Sequence, residues 1–142
     1  MTTRPDPDPV SLDVMDGLVQ VSFTVMAVLS QAAAAHDLSL TQLRVLAILR
    51  DHELKMAELA AHLGLDRSSV SGLIDRAVKR GLVRRDASSD DGRAVRGSLT
   101  PEGQRLAALL TDEIRGRITQ MTHGLGSADQ KRLSVLLKRL LE

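Results

Sequence analysis

The 142-residue sequence predicts a mainly α-helical fold with six helices and one two-stranded β-hairpin. Apolar residues recur at helical spacing in six segments, and capping or terminating residues separate those segments. The segment 82–99 instead holds two short runs around a polar, glycine-containing link, which is typical of a hairpin. A hydrophobic fraction of 43% is sufficient for one domain with an apolar core.

The first predicted helix begins at the cap residue Ser11 and ends near Ala35. Its apolar stripe is wider than one small domain covers and includes Leu12, Met15, Val19, Val21, Val25, Met26, Val28, Leu29, Ala32 and Ala33. Such a stripe is compatible with an ordinary core helix and with a helix shared with a second copy of the chain. Residues 1–10 precede the helix, carry three of the four prolines and predict a short disordered tail.

Local signals delimit the next two helices. Thr41 is predicted to cap the second helix, which ends near Arg50. The third helix is predicted over Ala57–Leu63 and stops at Gly64, because glycine readily adopts the positive φ that closes many helices.

The fourth helix is predicted over Arg67–Arg80, after the N-cap Asp66 and before the terminating Gly81. Its predicted buried side consists of Val70, Leu73, Ile74, Ala77 and Val78. A helix, a short turn with glycine and a second helix form the arrangement that places the second helix in a DNA major groove.

The remaining elements are a hairpin and two helices. Leu82–Asp86 and Ala94–Leu99 are the predicted strands of the hairpin. Thr100 is predicted to cap the fifth helix, and Ser127 with Gln130 is predicted to form a capping box for the sixth.

The net charge of +1 hides a segregation of charge along the chain. Residues 1–66 contain four basic and nine acidic residues, whereas residues 67–96 contain eight basic and four acidic ones. The basic segment coincides with the fourth helix and the hairpin. This distribution favours a local nucleic-acid contact over a uniformly basic protein.

The exposed side of the fourth helix and the hairpin arginines are the expected DNA contacts. Small and hydroxyl-bearing residues in the first turn let a helix N-terminus approach phosphates, and arginines can follow the backbone or enter the minor groove. The predicted contact residues are Arg67, Ser68, Ser69, Ser71, Gly72, Arg76, Arg84, Arg93 and Arg96. Two alternatives remain: a merely solvated helix face, and an ion pair of Arg93 with Asp75.

Several sequence motifs, taken in order along the chain, resemble those of the MarR family of winged helix-turn-helix regulators. They are Glu58-Leu59-Ala60, Leu63–Ser71, Leu73–Arg76, Lys79–Val83, Asp91-Gly92-Arg93 and Leu99–Gly103. The resemblance implies a homodimer, with residues 11–36 and 104–142 as a helical dimerisation region and 37–103 as the winged DNA-binding domain. It also implies a near-palindromic operator with half-sites ~10 base pairs apart. A small ligand bound where the dimerisation helices meet the winged domain is implied to release a repressor.

Three positions depart from the family pattern. Gly72 stands where a larger polar or basic residue is common, which reduces direct base readout from the middle of the helix. Gly97 lies inside the second strand and is expected to weaken it. Lys55-Met56-Ala57 offers no hydroxyl cap for the third helix.

Residue types missing from the sequence exclude several functions. No cysteine is present, so thiol-based sensing and a cysteine nucleophile are excluded, and a single Phe leaves no aromatic platform for single-stranded nucleic acid. The histidines lie far apart in sequence, and no metal site, cofactor or catalytic residue is predicted. A charged effector could use Arg44, Arg50 or Arg115, although these are typical surface residues.

The expected setting is the cytoplasm, without a membrane segment. The most apolar stretch, Val21–Ala35, contains polar residues and is shorter than the ~20 residues a spanning helix needs. The alternative function is a winged-helix protein-interaction module that does not bind DNA, since a fold alone does not fix its use. The basic character of residues 67–96 favours DNA.

Overall fold

The computed structural model describes residues 6–87 and 95–142. Its helices are α1 Leu12–Ala34, α2 Leu40–Asp51, α3 Met56–Leu63, α4 Arg67–Lys79, α5 Pro101–Met121 and α6 Ser127–Leu141. Its strands are β1 Leu54–Lys55, β2 Val83–Ala87 and β3 Val95–Leu99. The predicted winged helix-turn-helix fold class is confirmed, with one strand more than expected.

The additional strand corrects the prediction of a two-stranded hairpin. The sheet has the order β1-β3-β2 with both pairings antiparallel, so β3 lies in the middle. Gly97 of β3 stands opposite Leu54 on one side and Arg85 on the other. A two-residue strand is too short to produce an alternating apolar pattern, which is why the sequence did not indicate it.

Most residues predicted to begin or end a helix do so in the structure. Ser11, Asp66 and Thr100 are the N-caps of α1, α4 and α5, and each side chain accepts a hydrogen bond from a first-turn backbone N–H. Gly64 closes α3 with φ 65°, and Gly81 has φ 74° just beyond α4. Helix α4 therefore ends at Lys79, one residue earlier than predicted.

The predicted cap of α2 is wrong. Ser39, not Thr41, is the N-cap: its Oγ accepts the backbone N–H of Gln42 at 3.1 Å, and the Gln42 side chain accepts the Ser39 N–H at 3.0 Å. This capping box satisfies two backbone donors at once, whereas a cap at Thr41 would leave Leu40 outside the helix.

The predicted capping box of α6 is also wrong. Gly126 occupies the N-cap position, and Ser127 is already the first helical residue. The side-chain amide of Gln130 donates instead to the carbonyl oxygen of Leu125 at 3.1 Å. The Gln130 side chain therefore stabilises the connection between α5 and α6 by donating to a backbone carbonyl. In a capping box it would instead accept a hydrogen bond from a backbone N–H.

The apolar core lies between the end of α1, helices α2 to α4, the sheet and the first half of α5. Its largest fully buried side chains are Leu49, Leu59, Val70, Ile74 and Leu110. Val78, predicted on the buried side of α4, is 39% exposed because it lies at the edge of the face that packs on α3 and β2.

Two helices expose extended apolar faces. In α1 only Ala32 and Ala33 are buried, while its exposed apolar residues include Leu12, Val14, Met15, Leu18, Val19, Val21, Phe23 and Met26. Every residue of α6 is exposed, including Leu133, Val135, Leu136, Leu137, Leu140 and Leu141. Apolar surface of this extent marks a binding face rather than ordinary surface.

Helix α1 is also long and apolar enough to cross a membrane. Its most apolar 18 residues have a mean hydropathy of 1.6. This corrects the sequence-based statement that the apolar stretch is too short, because the helix extends the stretch towards Leu12. Length and composition alone do not separate a spanning helix from one that packs on a partner chain.

Candidate nucleic-acid interface

The N-terminus of α4 is organised around the Asp66 carboxylate. Its Oδ1 accepts the backbone N–H of Ser69 at 2.8 Å and the hydroxyl of Ser68 at 2.7 Å. These hydrogen bonds, with that from the Ser69 backbone first, hold the pKa of Asp66 below its ordinary value. The Ser68 hydroxyl therefore belongs to the helix cap in the unbound protein, while Ser69 and Arg67 remain exposed beside it.

The Asp66 cap predicts a pH-dependent contribution to stability. Ionised Asp66 stabilises the folded state at neutral pH, and this contribution is lost as the pH falls below the ordinary Asp value of ~3.9 towards the lowered folded value. Asp66→Ala is expected to lower the melting temperature at pH 7, and Asp66→Asn to retain most of the cap. Thermal melts from pH 7 to pH 3 check this; a Tm difference between wild type and Asp66→Ala that stays constant over that range contradicts it.

Arg85 joins the exposed face of α4 to the sheet. Its Nη1 forms an ion pair with Asp75 Oδ1 at 2.5 Å, and its Nη2 donates to the carbonyl oxygen of Ser71 at 3.1 Å. Arg93, the ion-pair partner considered for Asp75, lies outside the described residues. The sequence carried one signal for Arg85: alternation along a strand places it on the opposite face from Arg84. The structure places it opposite Gly97 of β3.

The centre of the α4 face combines a glycine with an arginine. Gly72 is half-buried, Arg76 is exposed, and a Cβ at position 72 would lie 3.8 Å from Arg76 Nη1. The guanidinium therefore lies over the glycine, one helical turn away. A surface without a side chain at this point lets the backbone approach a ligand closely, while Arg76 supplies the charge.

The arginines of the strands occupy different positions. Arg84 is exposed, and its Nε lies 3.1 Å from Asp86 Oδ2. Arg96 is half-buried on the middle strand, in register with Lys55 on one side and Asp86 on the other. Of the nine predicted contacts, eight are described, and six of these lie on α4: Arg67, Ser68, Ser69, Ser71, Gly72 and Arg76.

A groove lies between α1, α2 and α5. Its empty volume is about 640 Å³. The lining comes from α1, α2 and α5 and is mainly aliphatic: Leu29, Leu40, Leu43, Arg44, Leu46, Ala47, Arg50, Ala107, Leu110, Thr111 and Ile114. Arg50 donates to Thr111 Oγ1 at 3.0 Å and pairs with Asp51 at 3.0 Å, and Arg44 donates to the carbonyl oxygen of His62 at 2.9 Å. Arg115, the third arginine considered for a ligand, lines a neighbouring groove beside α6.

The sequence model of the MarR family matches residues 36–94, which contain α2, β1, α3, α4 and β2. Strands β2 and β3, with the residues between them, correspond to the predicted hairpin and are called the wing below. The crystal structure of NadR in complex with 4-hydroxyphenylacetate superposes with a TM-score of 0.77 and 28% identity, over 99% of this chain and 97% of that one. The helix-turn-helix part of this chain, residues 36–94, is of the MarR family. The resemblance stated from the sequence motifs is thereby confirmed.

Two curated relatives extend the comparison beyond the matched residues. The HTH-type transcriptional regulator YfiV of Bacillus subtilis is 37% identical over 71 residues, which are 49% of this chain and 44% of YfiV. The HTH-type transcriptional regulator FarR of Neisseria gonorrhoeae is 29% identical over 125 residues, or 87% of this chain and 86% of FarR. The chain thus spans less than half of YfiV and most of FarR.

Proposed function

We propose that this chain is a dimeric, sequence-specific regulator that binds a near-palindromic operator in double-stranded DNA. The observation that carries the proposal is the exposed face of α4, which presents Arg67, Ser69 and Arg76 around a capped N-terminus. Arg85 braces this face against the sheet through Asp75 and Ser71. Two relatives are named as transcriptional regulators, and we propose a non-catalytic role of the same kind, in the cytoplasm, for this chain.

The contact geometry follows from the dimensions of a helix and a groove. The 13 residues of α4 form a rod ~20 Å long and ~10 Å wide, which fits a major groove ~12 Å wide. We assign residues 37–103 as the DNA-binding domain. Within it, Arg67, Ser68, Ser69, Ser71, Gly72 and Arg76 face the groove, and Arg84, Arg93 and Arg96 follow the flanking backbone.

A second copy of the chain is the partner we propose for the apolar faces of α1 and α6. Both faces are exposed, although the helices come from opposite ends of the sequence. Residues 11–36 and 104–142 then form the dimerisation region. A bilayer is a poorer partner for α1, because Asp13 and Asp16 lie in its first turns and its last turn packs on α2 and α5.

The groove between α1, α2 and α5 is the proposed effector site. Its aliphatic lining suits an apolar small molecule, and Arg50 and Thr111 offer donors at one place for an acidic or hydroxyl group. We propose repression that ends when such a molecule binds. A ligand in this groove would lie between the proposed dimerisation helices and the winged domain, where it can change how the two recognition helices are oriented.

Selection from fragmented genomic DNA tests the proposed function. The full chain is expected to enrich a small set of near-palindromic fragments, and affinity for them falls steeply with salt because neutralised phosphates release counterions. The same titration with small aromatic or aliphatic acids added tests release by an effector. Equal retention of all fragments at every salt concentration contradicts DNA recognition and favours the protein-interaction alternative.

A further inference from the structure

One side chain ties the end of the recognition helix to the end of α1. Arg80 follows the last residue of α4, and its Nη1 donates to the carbonyl oxygen of Asp37 at 2.9 Å while its Nη2 donates to that of His36 at 2.9 Å. We propose that Arg80 is a positioning residue that fixes the direction of α4 relative to α1 and thereby sets the half-site spacing the dimer accepts. This inference rests on the proposed function.

The two acceptor carbonyls belong to a fixed part of the structure. Asp37 has φ 56°, and the next N–H, that of Leu38, donates to the Ala33 carbonyl at 2.9 Å, which closes α1. Ala33 is only 1% exposed. The ring Nε2 of His36 lies 3.1 Å from Glu113 Oε2 on α5. The carbonyls that Arg80 contacts therefore move together with α1 and α5.

Arg80 is equally fixed at its own end. Its backbone N–H donates to the carbonyl oxygen of Arg76 at 3.1 Å, so the residue continues the last turn of α4. Its side chain also lines a small apolar hollow between α2 and α4, beside Leu38, Val45 and Leu73. A rotation of α4 about its own axis would carry the guanidinium away from both carbonyls.

The neighbours of the two helices explain why this link matters. Helix α1 packs on α5 and α2, whereas α4 packs on α3 and β2. Arg80 thus reaches directly from the DNA-reading element to the proposed dimerisation helix. The planar guanidinium holds two acceptors in a fixed fork, and a cation just beyond the C-terminus of α1 is favoured by the helix dipole.

The direction of α4 matters because a dimer reads two half-sites at once. One additional base pair moves the second half-site by ~3.4 Å and rotates it by roughly 35° about the DNA axis. A firmly held pair of recognition helices matches one spacing. A loosely held pair binds operators with several spacings, and the affinities for these operators differ less.

The test titrates one operator series whose half-site spacing is changed by about −1, 0, +1 and +2 base pairs. Wild type and the matched control Lys79→Ala, which removes a neighbouring charge from the same helix end, are expected to prefer one spacing by at least ~10-fold. Arg80→Ala is expected to reduce that preference to ~2-fold. Arg80→Lys is expected to fall between them, because an ammonium group does not form the fork to both carbonyls.

A second readout does not require DNA. The chain contains no cysteine, so a nitroxide on Arg67→Cys labels each copy once and reports the distance between the two α4 helices by pulsed electron resonance. The distance distribution is expected to broaden with Arg80→Ala and not with Lys79→Ala.

The outcomes separate this inference from the proposed function. A wild-type chain that binds no operator contradicts the proposed function. An operator-binding wild type whose Arg80→Ala variant keeps the spacing preference and the distance distribution of Lys79→Ala overturns the role of Arg80 alone. If Arg80→Ala does not fold, Arg80→Lys is compared with Lys79→Ala instead. Equal spacing preferences and equal distance distributions of these two variants would then overturn the inference.

Discussion

Simultaneous replacement of Arg76 and Arg93 by alanine is expected to abolish operator binding while the dimer stays intact. The dimer loses four arginines, and a specific arginine contact contributes about 1–3 kcal/mol, so the affinity falls by at least ~10³-fold. Arg76 lies at the centre of the exposed α4 face, and Arg93 is assigned to the wing. Fluorescence anisotropy with a labelled operator measures the loss, and light scattering verifies the dimer.

A matched control removes the same charge elsewhere. Lys131→Ala with Arg132→Ala takes two positive charges from exposed positions of α6. This variant is expected to bind the operator with nearly wild-type affinity, since long-range charge effects are screened beyond ~8 Å at physiological salt. Equal affinities of wild type and the Arg76, Arg93 variant would remove both residues from the DNA interface.

The second large effect is expected at the opposite end of the molecule. Leu136→Asp with Leu140→Asp places two charges on the apolar face of α6, where the leucines are 51% and 65% exposed in the single chain. A second copy cannot bury unpaired carboxylates without a large desolvation cost, so the variant is expected to be monomeric. Operator affinity falls by ~10²–10⁴-fold because the second half-site no longer binds within the same complex.

Sedimentation velocity and operator titration together measure this effect. The control is Arg139→Asp, which changes the charge of the same helix between the two leucines without altering an apolar side chain. It is expected to remain dimeric. A wild-type chain that sediments as a monomer at micromolar concentration, or a double variant that remains dimeric, contradicts the proposed use of α6. Partition of wild type into lipid vesicles would instead assign α1 to a membrane.

Features decided within a few residues could be predicted from the sequence. Asp66 caps α4 and Gly64 closes α3 because each depends on hydrogen bonds and backbone geometry within about one turn. Ser39 shows the limit of this reasoning: two adjacent hydroxyl residues bracket Leu40, and reciprocal bonding with Gln42 selects the earlier one. Competition between neighbouring caps is settled by the whole turn, not by residue type.

Features that depend on tertiary geometry could not be predicted in the same way. The exposed face of α4 follows from helical periodicity alone, but the choice of Arg85 as the partner of Asp75 depends on how β2 crosses the helix. Arg80 is a terminal residue of α4 in the sequence, and only the fold brings the carbonyls of His36 and Asp37 within its reach. Strand β1 forms because β3 offers it an unpaired edge.

The most direct test of the central claim is protection of guanine N7 from dimethyl sulfate on a selected genomic fragment. N7 lies in the major groove, so its protection reports α4 in that groove. We predict two protected segments, related by near-twofold symmetry and ~10 base pairs apart, that disappear with the Arg76, Arg93 variant. A single protected segment, or unchanged protection with that variant, would contradict a dimer that reads DNA through α4.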